Sequence, residues 1–86
     1  MEKTIWKWTL TPNCTIEMPV GSQILCVQEQ YGRAQLWALV DPFVGGKQKR
    51  NFVTYGTGHP ITGPVGIYVG TFQLQGGALV FHVFEV

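Results

Sequence analysis

The pair Gly76-Gly77 stands between two runs of alternating polarity, Ile67–Gln75 and Ala78–Val86, and this arrangement constrains the fold more than any other feature. Alternation with a period of two is typical of β-strands, and a two-glycine link is typical of a tight hairpin turn. Because a two-residue loop fixes the register, the implied pairs include Leu74 with Leu79, Phe72 with Phe81, Thr71 with His82, and Tyr68 with Glu85. We expect Phe72 and Phe81 to be buried opposite each other.

A second hairpin is predicted at Tyr31-Gly32, between the strands Ile24–Gln30 and Arg33–Asp41. The implied pairs are Gln30 with Arg33, Glu29 with Ala34, Val27 with Leu36, and Cys26 with Trp37. One face then carries Leu25, Val27, Leu36 and Ala38, and the other carries Ile24, Cys26, Trp37 and Leu39. Because both faces are apolar near the open end, we expect the hairpin to be covered on both sides there.

The remaining segments add shorter strands and loops. Lys3–Leu10, the stretch from Cys14 to Met18, and Asn51–Tyr55 alternate in polarity, whereas residues 43–50 read as a mobile loop with a basic end. Residues 56–66 hold several Gly and Pro residues and are not expected to form regular structure. The sequence therefore predicts a single all-β domain over residues 1–86, a small antiparallel barrel or sandwich of about six to seven strands.

Charge and hydropathy narrow the environment in which such a domain would work. Six Lys/Arg against five Asp/Glu give a net charge of +1, which is no electrostatic footprint for duplex nucleic acid or an anionic membrane surface. No run reaches the roughly 18 apolar residues of a membrane span, and the first residues lack the apolar core of a secretory signal. We expect a cytoplasmic protein with Cys14 and Cys26 reduced, without a cofactor, and without a metal site.

Four stretches carry a resemblance to a known group of proteins: Lys3–Lys7, Leu36–Pro42, Tyr55–Ile61 and Gly70–Glu85. Together they resemble a family of short uncharacterised proteins of bacteriophages and prophages, over nearly the whole chain. The resemblance implies a phage protein acting in the cytoplasm of the bacterial host, and it carries over no catalytic residue.

The loop Gly56-Thr57-Gly58-His59 is the best candidate binding site in the sequence. Its two glycines let the backbone approach a ligand and present consecutive N–H groups as an anion nest, while Thr57 and His59 add side-chain hydrogen-bonding groups. Lys49 and Arg50 could neutralise a phosphate if the intervening strand folds back or a second subunit supplies them. The alternative is a plain Gly/Pro turn with a surface histidine.

Three further side chains are candidates for ligand contact. His82 lies in the middle of a strand opposite Thr71, where it is either a half-buried hydrogen-bonded histidine or a ligand-binding or general-base group. Trp6 and Trp8 share one face of the first strand, where they are either core residues or an open stacking platform.

These features support three functional hypotheses. The first is a non-enzymatic counter-defence protein that sequesters a phosphorylated or nucleotide-like immune signal. The second is an inhibitor that binds a host defence complex such as a CRISPR effector, and the third is a small hydrolase using His59 or His82. Because both hairpins carry apolar residues on two faces, we also expect a homo-oligomer, a dimer or higher.

Overall fold

The computed structural model describes residues 2–86 and confirms the all-β prediction. Its strands are β1 (Thr4–Thr9), β2 (Asn13–Pro19), β3 (Gln23–Gln30), β4 (Arg33–Val40), β5 (Lys47–Gly56), β6 (Ile67–Leu74) and β7 (Leu79–Glu85), with a short 3₁₀ turn at Gln75–Gly77. Within residues 2–86, no helix is long and apolar enough to cross a membrane.

The strands form two antiparallel sheets rather than a closed barrel, so of the two predicted architectures the sandwich is the one found. One sheet has the order β1-β4-β3 and the other has the order β2-β5-β7-β6. The edge strands β3 and β6 lie against each other where Gly70 faces Val27, and a Cβ added at Gly70 would lie 3.4 Å from the Val27 Cβ. The absence of a side chain at Gly70 therefore allows the two sheets to approach closely at this edge.

The core lies between the sheets and is built from the inward-facing member of each alternating pair. Its largest fully buried side chains are Phe52, Met18, Leu36, Val40 and Val83. Burying one such side chain stabilises the fold by about 1.5–3 kcal/mol. Alternation places Phe52 and Val83 inward, so their neighbours Val53 and His82 point to the outer face of the four-stranded sheet.

The hairpin between β3 and β4 has the predicted register at all four pairs. Tyr31 (φ 54°) and Gly32 (φ 79°) both adopt positive φ, as in a type I′ turn. The predicted face assignment is wrong at one end, because a β-bulge between Ile24 and Cys26 shifts the register there. As a result Ile24 packs against the core, whereas Leu25 is 44% exposed.

The hairpin between β6 and β7 has the predicted register at three pairs, Thr71 with His82, Phe72 with Phe81, and Leu74 with Leu79. A second bulge, between Tyr68 and Gly70, pairs Tyr68 with Phe84, so the predicted pairing of Tyr68 with Glu85 is wrong. Gly76 (φ 65°) and Gly77 (φ 98°) occupy a turn that the Ala78 amide closes by donating to the Gln75 carbonyl at 3.2 Å.

The Phe72 and Phe81 rings of this hairpin are stacked with their centroids 5.4 Å apart. Phe72 is buried as expected, but Phe81 is only half-buried, which corrects the prediction for that residue. The reason is that Phe81 lines an open cleft between the sheets.

The strand β5 begins four residues earlier than predicted, because Lys47 to Arg50 pair with β2 instead of forming a loop. Three of these four side chains are exposed, and the polar sequence gives no hydrophobic alternation to reveal a strand. Because of the earlier start, Lys49 and Arg50 are part of strand β5 of the four-stranded sheet.

Candidate functional site

Three neighbouring strands bring the candidate residues His82 and Thr57 together on the outer face of the four-stranded sheet. In the middle of this face, His82 of β7 pairs with Tyr55 of β5 on one side and with Thr71 of β6 on the other. Thr57 follows the end of β5, where its backbone N–H donates to the Val80 carbonyl at 3.0 Å. This hydrogen bond holds the beginning of the 56–59 loop beside His82.

A continuous chain of hydrogen bonds links four side chains, Thr57, His82, Thr71 and Tyr68, which we call the His82 cluster. The Thr57 Oγ1 lies 2.7 Å from His82 Nε2, the Thr71 Oγ1 lies 3.0 Å from His82 Nδ1, and the Tyr68 hydroxyl lies 2.6 Å from the Thr71 Oγ1. Both ring nitrogens of His82 therefore have a hydrogen-bond partner. The chain fixes the ring orientation of His82.

Aromatic rings flank this hydrogen-bonded chain. Phe84 lies between Tyr55 and Tyr68, in edge-to-face contacts with centroid distances of 6.1 Å and 5.7 Å. Tyr68 is 58% exposed, whereas Tyr55 and Phe84 are half-buried. The face therefore presents an exposed aromatic ring beside hydroxyl and imidazole groups that are already oriented.

The 56–59 loop does not form the consecutive free N–H groups that an anion nest requires. The His59 amide donates to the Gly56 carbonyl at 3.1 Å, and the Thr57 amide is bonded to Val80. Gly58 has a φ of 85°, as the third residue of a type II turn does. The backbone of this loop is therefore a closed β-turn, and its contribution to the site is the Thr57 side chain.

The side chain of His59 lies away from His82. A Cβ added at Gly56 would lie 2.8 Å from His59 Cε1 and Nδ1, so the imidazole covers Gly56. Gly56 pairs with Phe81, and its Cβ direction is that of the inner face. The two histidines are therefore on opposite sides of the four-stranded sheet.

The two basic candidates lie at the other end of β5 from the loop. Gly56 is seven positions after Lys49 in the sequence, which corresponds to roughly 23 Å along a strand. Lys49 pairs across the sheet with Glu17. Neither Lys49 nor Arg50 is brought to the His82 cluster within one chain.

Arg50 is held by contacts within the fold. Its Nε and one terminal nitrogen donate to the two Glu85 carboxylate oxygens at 2.7 Å and 2.8 Å, and its other terminal nitrogen donates to the Ser22 carbonyl. The hydrogen bond to Glu85 raises the pKa of Arg50, against the opposing effect of burial, so the guanidinium stays charged. Its donors are therefore engaged in joining β5, β7 and the turn after β2.

Trp6 and Trp8 lie on β1, in the other sheet, and form a separate aromatic pair. Their rings are in edge-to-face contact with centroids 6.1 Å apart. Trp8 packs against the core, whereas Trp6 is 40% exposed. Trp6 is the more exposed of the two, and it does not contribute to the His82 cluster.

Tyr55, Tyr68, Thr71 and Phe84 belong to the site but were not predicted as ligand-binding residues. The hairpin register did place Thr71 opposite His82, and this pairing was the available signal. The position of Tyr68 depends on the bulge at the start of β6, which the sequence alternation did not reveal. Among residues 2–86, no three His, Cys, Asp or Glu side chains are grouped as a metal site, and Cys14 and Cys26 are free thiols.

Comparisons with known proteins identify a family but no characterised relative. No curated protein and no solved structure gives a significant match to the chain. A family model described as "Domain of unknown function (DUF7352)" matches residues 1–86. Since this match extends over the whole chain, the protein belongs to that family.

Proposed function

We propose that this protein is a non-enzymatic binding module that holds a nucleotide-like ligand on the His82 cluster. The observation that carries this proposal is the continuous hydrogen-bonded chain from Thr57 through His82 and Thr71 to Tyr68, on an outward-facing sheet surface. The His82 cluster combines an exposed aromatic ring, on which a planar ligand can stack, with oriented polar groups that can form hydrogen bonds to it.

The aromatic part supports stacking of a base. Tyr68 is 58% exposed, and its ring is held in place by the edge-to-face contact with Phe84. Stacking of a base on an aromatic side chain contributes about 1–3 kcal/mol and tolerates different bases. Tyr68 is therefore the proposed stacking residue.

The polar part supports recognition of the ligand's edge. Thr57 and Thr71 are exposed residues, and contact with His82 orients the hydroxyl group of each. Side chains that are oriented before binding lose less conformational entropy when the ligand arrives. The single O–H donor of each hydroxyl is used within the cluster, so each oxygen contacts a ligand through a remaining lone pair, which matches donors such as a base amino group or a ribose hydroxyl.

The charge distribution favours recognition of the base over the phosphate. Lys49 and Arg50 lie at the far end of β5, and Arg50 is bonded to Glu85. We therefore expect nucleosides to retain most of the affinity of the corresponding nucleotides. In the phage setting that the resemblance implies, such a module would sequester a nucleotide-like signal of the host's immune response.

Calorimetric titration with a panel of nucleosides, mononucleotides and cyclic dinucleotides tests this proposal. Thr71→Val removes the central hydroxyl and should weaken binding about fivefold, the effect of one net hydrogen bond. Thr15→Val is the matched control, since Thr15 is also exposed and bonded to a neighbouring strand, through Asn51 at 2.7 Å. Equal affinities for the two variants, or no binding to any member of the panel, would contradict the proposal.

The hydrolase alternative shares this geometry and is separated by product analysis. The 2.7 Å contact between Thr57 Oγ1 and His82 Nε2 is within reach for a general base acting on a hydroxyl. However, the Thr57 amide donates to Val80, so it is not free to stabilise an oxyanion. Chromatography of the bound ligand after incubation should return it unchanged, whereas turnover abolished by His82→Gln would favour the hydrolase.

A protein-binding role is favoured by a different surface, the outer face of the three-stranded sheet. Ile5 and Leu25 are 56% and 44% exposed there, and together with Trp37 they border a shallow depression of about 260 Å³. Exposed apolar patches of this kind mark protein contacts. This face could bind a host defence complex such as a CRISPR effector, or a second copy of the chain in the predicted homo-oligomer.

Sedimentation velocity of the wild type and of Leu25→Glu separates the two kinds of protein partner. A wild-type dimer that the charged variant dissociates would assign the face to self-association. If the wild type is a monomer, the outer face of the three-stranded sheet is assigned to contact with a different protein.

A further inference from the structure

The edge of the three-stranded sheet at β1 is open for hydrogen bonding. β1 lies at the end of the order β1-β4-β3, so within residues 2–86 its other side has no neighbouring strand. The opposite edge of this sheet is β3, which lies against β6 where Gly70 faces Val27. All but one of the residues of Thr4–Thr9 are exposed. An edge strand of this kind presents unpaired N–H and C=O groups on which another strand can pair.

One hydrogen bond shows which main-chain groups of β1 point outward. The Leu10 amide donates at 2.9 Å to the carbonyl of Ala34, its directly opposite residue when the β1–β4 register is extended by one pair. In an antiparallel ladder, such hydrogen-bonded pairs alternate with pairs that exchange no hydrogen bonds. The even-numbered residues of β1 are therefore bonded to β4, and Ile5, Lys7 and Thr9 direct their N–H and C=O groups away from it.

The lysine of β1 does not protect this edge. Natural sheets commonly place a lysine on an edge strand, where its charge keeps a second strand away. Here the Lys7 Nζ donates to the Gln30 Oε1 at 2.7 Å. Because Gln30 is on β3, the Lys7 side chain extends across the middle strand β4 and away from the open edge. The ammonium group is therefore held over the sheet, and the edge of β1 is left free.

The edge of the other sheet at β2 is less suited to pairing. The Thr54 amide donates to the Pro12 carbonyl at 2.8 Å, so by the same alternation the odd-numbered residues of β2 direct their main-chain groups outward. Those residues include Pro19, which has no N–H, and Glu17, which is charged and exposed. β1 contains neither a proline nor a carboxylate. An added strand is therefore better accommodated at β1 than at β2.

The sequence of β1 matches a second copy of itself in one register. When two β1 strands pair antiparallel about a two-fold axis, the axis passes through one residue, because directly opposed side chains share a face. An axis through Lys7 would place two lysines opposite each other, and an axis through Ile5 would place Lys7 opposite Lys3 of the partner subunit. An axis through Trp6 avoids both repulsions, and it overlaps more of β1 than an axis through Trp8.

We infer that two copies of this chain associate through their β1 edges, with Trp6 on the two-fold axis, and join their three-stranded sheets into one continuous sheet. Ile5 of each subunit and Lys7 of its partner then form about four main-chain hydrogen bonds. Trp6 is 40% exposed in the single chain, and a cross-strand pair of aromatic rings stabilises two antiparallel strands. The inference goes beyond the proposed function, because β1 and the His82 cluster are in different sheets. It also differs from association through the outer face, which requires the Leu25 side chain.

Hydrogen exchange followed by nuclear magnetic resonance at rising protein concentration tests the inference. The amides of Ile5 and Lys7 should exchange about tenfold more slowly once the dimer predominates, since each gains a main-chain acceptor. The outward amides of Thr15 and Glu17 on β2 are the internal control and should not change. Sedimentation velocity of the same samples should show a shift from monomer to dimer. A monomer at every concentration, or exchange at Ile5 and Lys7 that does not depend on concentration, would overturn the inference.

Two substitutions at Lys7 separate the role of the main chain from that of the side chain. Lys7→Pro removes the outward N–H and costs no hydrogen bond to β4, so the monomer should stay folded and the dimer should be lost. Lys7→Ala also removes the side-chain contact with Gln30 but keeps the N–H, so it should keep the dimer. Leu25→Glu, on the outer face, should keep it as well. A dimer that survives Lys7→Pro, or one that Leu25→Glu dissociates, would overturn the inference.

A disulfide tests the register without depending on the proline variant. Position 6 faces itself across the two-fold axis, at a pair without main-chain hydrogen bonds, where Cα atoms lie about 4.5 Å apart and within disulfide range. Trp6→Cys should therefore form a covalent dimer with oxidised glutathione as the oxidant. Thr4→Cys is the matched control on the same face and should cross-link about tenfold less, because position 4 lies opposite position 8. Both variants retain Cys14 and Cys26, and equal cross-linking of the two would contradict the axis at Trp6.

Discussion

Replacement of Arg50, which the sequence analysis named as a candidate phosphate ligand, distinguishes a structural role from a ligand-binding role for this residue. The structure pairs its guanidinium with both oxygens of Glu85, at 2.7 Å and 2.8 Å, and with the Ser22 carbonyl. We therefore expect Arg50→Met to destabilise the fold and to leave the affinity for a nucleotide-like ligand unchanged.

The magnitude follows from the burial and geometry of the pair. The side chains of Arg50 and Glu85 are 16% and 21% exposed, so the pair is mostly but not fully removed from water. Removing one partner of a fully buried pair costs about 3–5 kcal/mol, and surface pairs contribute about 0–1 kcal/mol. We expect Arg50→Met to lower the free energy of unfolding by about 3 kcal/mol, with a coupling energy to Glu85 of about 2 kcal/mol.

Urea unfolding of Arg50→Met, Glu85→Gln and the double variant gives this coupling energy as a double-mutant cycle. Lys49→Met is the matched control, because Lys49 is the exposed neighbour on the same strand, and its effect should stay within about 0.5 kcal/mol. A coupling energy under about 0.5 kcal/mol, or a stable Arg50→Met protein that has lost ligand binding, would refute the reasoning.

Three further predictions concern the fold. In urea unfolding, Gly66→Ala should destabilise the protein by about 3 kcal/mol or more, because Gly66 has a φ of 79° and an added Cβ would overlap the Glu85 carbonyl oxygen. Gly58→Ala is the control, since Gly58 also has a positive φ but lies in open space, and it should cost only about 1 kcal/mol. Equal effects of the two substitutions would contradict the close contact of Gly66 with the end of β7. Phe72→Ala should lower the free energy of unfolding by about 3–5 kcal/mol and Phe81→Ala by about 2 kcal/mol, because Phe72 is buried and Phe81 is half-buried. The reverse order in urea unfolding would contradict the position of Phe81 at the open cleft. Tyr31→Asn should stabilise the protein by about 0.5 kcal/mol and so raise its thermal midpoint slightly, because asparagine tolerates the observed φ of 54° better than tyrosine does. A lower midpoint would contradict the positive φ at this turn.

The hairpins were predictable because their short turns determine which residues face each other. Both turns contain a glycine that the structure places at positive φ, and the strands next to each turn have the predicted register. The bulges at Leu25 and Val69 were not predictable from alternation, because a single extra residue changes the face of those beyond it.

The site was predictable only in part. His82 opposite Thr71 followed from the hairpin register, but the contact of Thr57 with His82 depends on how β5 pairs with β7, which involves residues distant in sequence. Tyr68 joined the cluster through the bulge in β6. Arg50 was a candidate phosphate ligand because the sequence gives no sign that Glu85 lies beside it in the sheet.

The measurement that tests the central claim most directly is the mapping of amide shifts in the wild-type protein titrated with the best-binding nucleoside of the panel. The proposed function predicts that the largest changes fall on Thr57, Tyr68, Thr71 and His82, while Lys49 and Trp6 change little. Largest changes at the Trp6 edge or around Lys49, with the His82 cluster unaffected, would show that the hydrogen-bonded chain only stabilises the sheet and would contradict the account.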